Sequence, residues 1–264
     1  MGAPIINADE FAAFVLVLLR LSMVVAFAPI LGSPNIVTEA KVALALTLTF
    51  VIAPTVSYSA TLMPMTWFGF AWLAVGELMT GLVLAFMVRL VLETANMAGE
   101  YLSFQMSMTM VNVLDPQSGT QVPVVSRFVY IVFVLIFLFA NGHLVVIKAL
   151  VDSFKVIPPG LVAFWAPETF SEVMLAVGRM YILAVKVAAP VVGLLFCAKV
   201  SFGIVAKAVP QMQVLFVGMP LYILAGLVLI GFSMDFWPRQ IGQAIFEAQT
   251  ALTRLLDFMT IGRI

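Results

Sequence analysis

Charged side chains are scarce in this 264-residue chain: 10% of its residues are charged, whereas 63% are hydrophobic. Ordinary soluble domains carry about 25% charged and roughly 45–50% apolar residues. The 13 basic and 13 acidic residues balance, so no basic field is available to attract nucleic acid. The composition therefore excludes an ordinary soluble domain and a nucleic-acid-binding protein. It predicts insertion into a membrane or burial in a largely apolar assembly.

The side chains that build disulfides and metal centres are almost missing as well. Cys197 is the one cysteine and His143 the one histidine. A single cysteine excludes an internal disulfide and a multi-cysteine metal site, and a single histidine leaves few ways to build a zinc centre. Neither a Walker loop nor the common dinucleotide-binding, zinc-protease or serine-hydrolase motifs occur. We therefore expect no cofactor, no catalytic residues and no enzymatic activity.

Apolar residues, in contrast, form long stretches separated by proline and glycine. The stretches are rich in leucine, alanine and methionine, and they lack the period-two alternation of membrane strands. They predict an all-α, membrane-associated protein of helical hairpins with six long apolar helices, several of them kinked. The six stretches cover residues 11–31, 42–57, 67–92, 128–151, 172–199 and 214–237.

Three of these stretches carry a charge near their middle: Arg20, Glu77 and Lys186. Each charge would cost roughly 2.5–3.5 kcal/mol at the centre of a bilayer. Basic residues in the predicted connections are divided evenly between the two sides, so the positive-inside rule assigns no orientation. Two interpretations stay open. The charges form buried pairs that hold helices together, or the helices line a wet passage or pack inside a multi-subunit barrel.

A polar seam continues beyond the third stretch. Its members alternate spacings of four and three residues, which places them on one face of a helix. That face is either solvated or lines a pore. The seam comprises Arg89, Glu93, Asn96, Glu100 and Ser103.

Small residues recur at every fourth position of the fifth stretch, at Ala189, Gly193, Cys197 and Ser201. A ribbon of small side chains lets another backbone approach closely. We interpret the Cys197 thiol as a packing group rather than a redox group.

Short motifs through the centre of the chain follow a recognisable order and spacing. They are Ala98-Gly99-Glu100, Gln105-Met106, Asp115-Pro116, Pro123, Arg127, Gly142-His143 and Asp152-Ser153-Phe154. In this order they resemble the FliR family of flagellar export-gate proteins, which is related to subunits of virulence-type type III secretion systems. Asp115-Pro116-Gln117-Ser118, together with Gly142-His143, is more similar to the flagellar branch than to the virulence branch.

The resemblance extends on both sides of this block and covers about residues 15–232. It is weakest at the two ends. The additional matching positions are Arg20, Pro29, Pro34, Pro54 and Gly81 before the block, and Pro210, Gln211, Gly218, Pro220, Leu221 and Gly226 after it.

The resemblance implies a core subunit of the flagellar type III protein-export gate, in the bacterial inner membrane at the flagellar basal body. With FliP- and FliQ-like subunits it would form the pore for unfolded flagellar proteins, and an FlhB-like switch protein would be a further partner. It implies a FliP-like part over residues 1–160 and a FliQ-like hairpin over 161–240. A polar, amphipathic tail would follow over 241–264. No cofactor is implied.

In the family, the connection after the third helix plugs the pore, which here implies residues of about 104–115. Methionine is unbranched and adaptable, so several methionines can seal a lumen and repack around different polypeptides. An apolar constriction also resists ions by excluding water. Without the resemblance, a helix end packed in a core is an equally good interpretation. The candidate plug residues are Phe104, Met106, Met108, Met110, Val113 and Leu114.

This segment departs from the family pattern in two ways. Phenylalanines are frequent in the family at the positions of Met110 and Val113, and glycines at those of Ser103 and Ser107. The changes between small residues should preserve packing. The absence of the aromatic residues leaves open which side chains close this pore.

The fifth connection would form the tip of the FliQ-like hairpin. In the family such tips face the cytoplasm and meet the FlhB-like protein. A plain hairpin loop is the alternative. The candidate contact residues are Lys199, Lys207, Pro210 and Gln211.

An ion-coupled membrane transporter is the alternative function. It would use Arg20, Glu77 and Lys186 as a relay. Such a transporter should show an inverted repeat with paired broken helices, and the sequence shows none.

Overall fold

The computed structural model describes residues 8–28, 32–33, 36–56, 66–108, 124–160, 167–208 and 214–261. Within these ranges the chain is helical and contains no strand, which confirms the predicted all-α class. A short 3-10 turn, Ala53–Thr55, follows the second helix. The eight α-helices of the described ranges are α1 Ala8–Phe27, α2 Thr38–Ile52, α3 Trp67–Gln105, α4 Val124–Phe139, α5 Gly142–Val156, α6 Pro167–Ala208, α7 Val214–Ser233 and α8 Trp237–Ile261.

Proline explains where several helices end or lose regularity. Pro54 lies in the 3-10 turn after α2, where its missing N–H prevents the α-helical ladder from continuing. Pro190 lies inside α6 and Pro220 inside α7. Each removes one backbone hydrogen bond and places its ring against a preceding carbonyl. Both helices therefore lack one backbone hydrogen bond at a defined residue.

The fourth apolar stretch differs from its prediction because it forms two helices instead of one. α4 and α5 meet at an angle of 64°. Asn141, at the junction, adopts a left-handed conformation with φ of 57°, and asparagine tolerates this region better than most residues. Asn141-Gly142-His143 interrupts the apolar stretch at this point, and the Asn-Gly dipeptide is typical of a turn.

α7 and α8 form a second bent pair, at 63°. Of the residues predicted as a tail, the described ones, 241–261, belong to α8, a 25-residue helix. One face of α8 is buried along its length, whereas the opposite face is exposed. The amphipathic character is thus that of a packed helix. The buried face consists of Trp237, Ile241, Ala244, Ile245, Ala251, Leu252, Leu255, Leu256 and Met259.

Four described helical segments are long and apolar enough to cross a membrane, and the number rises to six if each bent pair forms one span. The four segments are Asp9–Phe27, Thr38–Thr55, Trp67–Gln105 and Pro167–Lys207. Large apolar side chains are widely exposed, including Trp67 at 93% and Phe139 at 91%. Such surfaces require lipid or partner subunits around them.

The chain divides into two compact units. The first comprises Met1–Leu90, Asn141–Ala176 and Phe246–Ile264, and the second comprises Val91–Ala140 and Val177–Ile245. Leu16, Leu21 and Ile157 are fully buried in the first unit, and Leu102 and Phe133 are buried in the second. Both units take segments from either side of residue 160, so they do not follow the division into 1–160, 161–240 and 241–264. That division stays a prediction about family relationships.

Candidate functional site

Two of the three mid-helix charges form a buried ion pair in the first unit. Arg20 Nε on α1 donates a hydrogen bond to Glu77 Oε2 on α3 over 2.6 Å. The side chains are 0% and 2% exposed. The pair therefore neutralises internally two charges that lipid would otherwise have to accommodate.

The remaining donors of the Arg20 guanidinium are satisfied by the end of α5. Nη1 donates to Ser153 Oγ at 3.2 Å, and Nη2 donates to the backbone carbonyl oxygen of Ile157 at 3.0 Å. The guanidinium carbon lies 4.3 Å from the centre of the Phe154 ring, a cation–π distance. Arg20 thus connects α1, α3 and α5 through every nitrogen of its side chain.

A close approach of α1 and α3 makes this connection possible. A Cβ atom at Gly81 would lie 2.6 Å from the carbonyl oxygen of Arg20 and 2.9 Å from Cβ of Met23. Gly81 lies one helical turn beyond Glu77, on the same face of α3. Only glycine allows the two backbones to come this close.

Lys186 differs from the expectation of a buried charge. Its side chain on α6 is exposed, and it makes no ion pair within the ranges that the structure describes. The position near the middle of a long apolar stretch indicated burial. The sequence of one helix does not tell, however, which of its faces a neighbouring helix covers.

The polar seam lies on one continuous helix, α3. Arg89 and Glu100 are exposed, and Glu93 and Asn96 are half-buried. Asn96 Nδ2 donates to Glu93 Oε2 at 2.8 Å. Ser126 Oγ on α4 donates to the backbone oxygen of Asn96 at 3.3 Å. The seam is thus partly engaged within the chain, and a pore-lining role for its exposed members stays a prediction.

The candidate plug begins where α3 ends, and its described residues differ in exposure. Phe104 is 69% exposed, Met108 is half-buried, and Met106 is fully buried. The Met106 side chain packs on α7, because a Cβ atom at Gly226 would lie 2.5 Å from Met106 Cγ. Met106 is therefore covered within its own unit rather than facing an open lumen. Met110, Val113 and Leu114 lie outside the described residues.

α3 closes with a left-handed turn at Ser107, where φ is 62°. The N–H of Ser107 donates to the carbonyl of Phe104 at 3.1 Å, and the N–H of Met108 donates to that of Ser103 at 3.0 Å. This pair of bonds is the Schellman motif, in which glycine normally occupies the left-handed residue. The serine where the family often has glycine therefore occupies a conformation that disfavours it.

Lys199 joins the end of α3 to the hairpin of α6 and α7. Its Nζ donates to Gln105 Oε1 at 3.1 Å. The same atom lies 6.0 Å from the Phe104 ring centre and 5.7 Å from that of Tyr222. Phe202 meets Tyr222 edge to face at 5.6 Å. Lys199 is thus half-buried against α3, whereas Lys207 is exposed and Pro210 and Gln211 lie outside the described residues.

The sequence did not identify the residues that contact Arg20 or those that contact Lys199. Gln105, Ser153 and Phe154 belong to the motifs that carry the family resemblance, and Gly81 and Gly226 are among its matching positions. Tyr222 carried no signal. The motifs thus pointed to several contact residues without giving their partners, which are up to 137 positions away in sequence.

Two other features give no ligand site. A groove of about 240 Å³ between α5 and the end of α8 is lined by side chains that include Lys148, Asp152 and Asp257. Charges of both signs share it, and Asp152 is paired with Lys155 at 2.7 Å. Among the described residues, no three His, Cys, Asp or Glu side chains are grouped to hold a metal ion.

Comparison with known proteins gives consistent matches over most of the chain. The family described as "Bacterial export proteins, family 1" matches residues 11–248. The flagellar biosynthetic protein FliR of Bacillus subtilis strain 168 is 31% identical over 225 residues, which cover 84% of this chain and 86% of that protein. FliR of Escherichia coli strain K12 is 30% identical over 217 residues, 82% of each chain. FliR of Aquifex aeolicus strain VF5 is 27% identical over 234 residues, 87% of this chain and 88% of that protein. The chain therefore belongs to the FliR family of bacterial export proteins.

Proposed function

We propose that this chain is a core subunit of a flagellar type III protein-export gate in the bacterial inner membrane, at the basal body. With FliP- and FliQ-like subunits it forms the pore through which unfolded flagellar proteins leave the cell. It works by binding and by providing a conduit, without covalent chemistry. The family match over residues 11–248 carries this proposal.

The distribution of charged and apolar side chains supports assembly into a complex. Arg20 and Glu77 neutralise one another's charge inside the chain, so the first unit needs no partner to neutralise them. The exposed surface, in contrast, carries large apolar side chains such as Phe68, Ile204 and Phe232. These surfaces suit helices of neighbouring subunits as well as lipid.

The segment from Phe104 onward is the proposed plug of this pore. Phe104 and Met108 offer apolar surface at the end of α3, and Met106 anchors the segment on Gly226. Met110, Val113 and Leu114 would continue the apolar surface. Side chains of this kind exclude water from a narrow passage and so resist ions.

The hairpin of α6 and α7 is the proposed FliQ-like part. The last turn of α6 carries Lys207, and the connection after it carries Pro210 and Gln211. We propose these residues as contacts for the FlhB-like switch protein. Lys207 is exposed, as a partner contact requires. Lys199 takes a different role because its ammonium group is engaged by α3.

Recovery from membranes tests the proposal. The chain carries an affinity tag, replaces the native copy in its own host, and is extracted in mild detergent. FliP- and FliQ-like subunits should be recovered with it, and cells that lack the chain should secrete no flagellar proteins. A chain that is stable and active by itself, with normal secretion in its absence, contradicts the proposal.

The transporter alternative gains no support from the geometry. A relay through Arg20, Glu77 and Lys186 needs groups that release and accept charge along a path. Arg20 is held by four partners, whereas Lys186 is exposed.

The relatives reported above are named as flagellar proteins, which favours the flagellar branch over the virulence branch.

A further inference from the structure

The last turn of α3 is held from two sides within the second unit. From α6, Lys199 reaches Gln105 and Phe104. From α7, Gly226 receives the side chain of Met106. Three consecutive residues at the end of α3, Phe104, Gln105 and the following Met106, therefore each contact the α6–α7 hairpin. We call this set of contacts, with Tyr222, the α3 clamp.

The Lys199 contacts are directional. An ammonium group has three donors, and one of them is used by Gln105 Oε1 at 3.1 Å. The faces of Phe104 and Tyr222 lie within about 6 Å of the same nitrogen, the range in which an aromatic ring attracts a cation. An uncharged side chain of equal length would fill the space but would lose all three attractions.

The contact between Met106 and Gly226 depends on steric fit. Three atoms of the Met106 side chain lie between 2.5 and 2.8 Å from the place that a Cβ atom would take at position 226. Residue 226 must therefore be glycine while Met106 is seated. The unbranched methionine side chain fills the notch that glycine leaves in the surface of α7.

The clamp lies directly before the turn that directs the chain out of α3. Ser107 follows Met106, and its left-handed φ of 62° fixes the direction of the next residues. The orientation of Met108 is thus set by residues that Lys199 and Gly226 hold. A movement of the hairpin would be passed to this turn.

We propose that Lys199 is a positioning residue for the plug: it keeps Phe104–Met108 seated on the α6–α7 hairpin and thereby keeps the pore closed to ions. This inference rests on the proposed function, because the pore to be closed is the pore of the proposed export gate. It assigns to Lys199 a contact inside the chain, which differs from the partner contact that the sequence predicted.

The test uses the assembled gate, purified with its FliP- and FliQ-like subunits. Lys199→Met keeps the length of the side chain and removes its charge. Backbone hydrogen exchange of residues 102–108 should become about tenfold faster, since the last turn of α3 opens more often. Membrane vesicles that contain the variant gate should also be several-fold more permeable to potassium ions.

Three further variants control the test. Lys199→Arg keeps a cation and donors, so exchange and permeability should return close to wild type. Lys186→Met makes the same chemical change on the exposed face of α6 and should alter neither quantity. Gln105→Leu removes one contact only and should move both quantities in the direction of Lys199→Met, by less. It also serves if Lys199→Met does not assemble.

If backbone hydrogen exchange of residues 102–108 is unchanged in Lys199→Met, Lys199 does not hold the end of α3 in place. If hydrogen exchange becomes faster but potassium permeability is unchanged, Lys199 does not position the plug, because the turn after α3 would then have no effect on closure of the pore. Neither outcome touches the export-gate proposal. That proposal fails instead if the unaltered chain is recovered without FliP- and FliQ-like subunits.

Discussion

Arg20 and Glu77 are joined by a hydrogen bond of 2.6 Å between Nε and Oε2 and are withdrawn from solvent on all sides. Burial of two charges costs several kcal/mol for each ion, and the attraction repays this cost only with good geometry and further hydrogen bonds. Ser153 and the Ile157 carbonyl supply these bonds to Arg20, whereas Glu77 Oε1 is buried without a hydrogen-bond partner among the described residues. We therefore expect the pair to specify which helices meet more than to add net stability.

Removal of one member of this pair should be more harmful than removal of both. Arg20→Met or Glu77→Leu leaves the partner charge buried and alone, which costs about 3–5 kcal/mol. The double variant leaves no unpaired charge and should be more stable than either single variant. Thermal unfolding of the purified complex, together with the yield of assembled gate, measures the difference.

Lys186→Met, on an exposed face, is the matched control and should change stability by less than about 0.5 kcal/mol. Single variants with wild-type stability would contradict the importance of the pair.

Gly81→Ala should separate α1 from α3. The added Cβ atom would lie 2.6 Å from the Arg20 carbonyl oxygen, and a backbone atom cannot move aside as a flexible side chain can. Overpacking of this kind typically costs about 1–3 kcal/mol.

Gly242→Ala is the control, because position 242 in α8 has open space around it. It should be neutral or gain up to about 1 kcal/mol from helix propensity. Equal effects of the two substitutions on thermal stability would rule out the close approach at Gly81.

Ser107→Gly should stabilise the end of α3. A non-glycine residue in the left-handed region costs roughly 1–2 kcal/mol, and glycine removes this cost at φ of 62°. The expected readouts are a higher unfolding temperature and slower hydrogen exchange in residues 103–108. Ser201→Gly, in the interior of α6, should instead lose about 0.5 kcal/mol. A loss of stability in Ser107→Gly would show that the serine side chain has a role of its own.

Shortening of the plug should make the gate leak. Deletion of residues within 109–114 removes the proposed apolar seal, whereas the clamp residues Phe104–Met106 stay in place. The complex should assemble in wild-type amounts, and cells should lose potassium ions and membrane potential. Tight membranes in cells with an assembled, shortened gate would exclude this segment as the seal.

The fold could be predicted from the sequence because its main signals are local. Length and apolar composition gave the helices, and the polar seam correctly indicated that α3 continues beyond residue 92 to Gln105. The junction at Asn141 was missed because apolar composition alone does not distinguish one long helix from two, although Asn141-Gly142 is a dipeptide typical of turns. A single left-handed residue decides between them.

The candidate site could be predicted only in part because its contacts are long-range. Arg20 and Glu77 are 57 positions apart, and Lys199 and Gln105 are 94 positions apart. A buried charge requires a partner, so the sequence showed that Arg20 needed one, but not which residue it was. For Lys199, the place near a predicted hairpin tip suggested an external contact, and nothing in the sequence indicated that its side chain donates a hydrogen bond to Gln105 on α3.

The lengths of α3 and α6 have a consequence for the lifetime of a newly made chain. At 1.5 Å per residue, helices of 39 and 42 residues measure roughly 58 and 63 Å. The hydrocarbon layer of a bilayer is about 30 Å thick. Close to half of each helix must find its apolar surroundings outside the lipid, so a subunit made in excess of its neighbours should be a target of membrane proteases. Balanced synthesis of the gate subunits is therefore a requirement that the helix lengths impose on the cell.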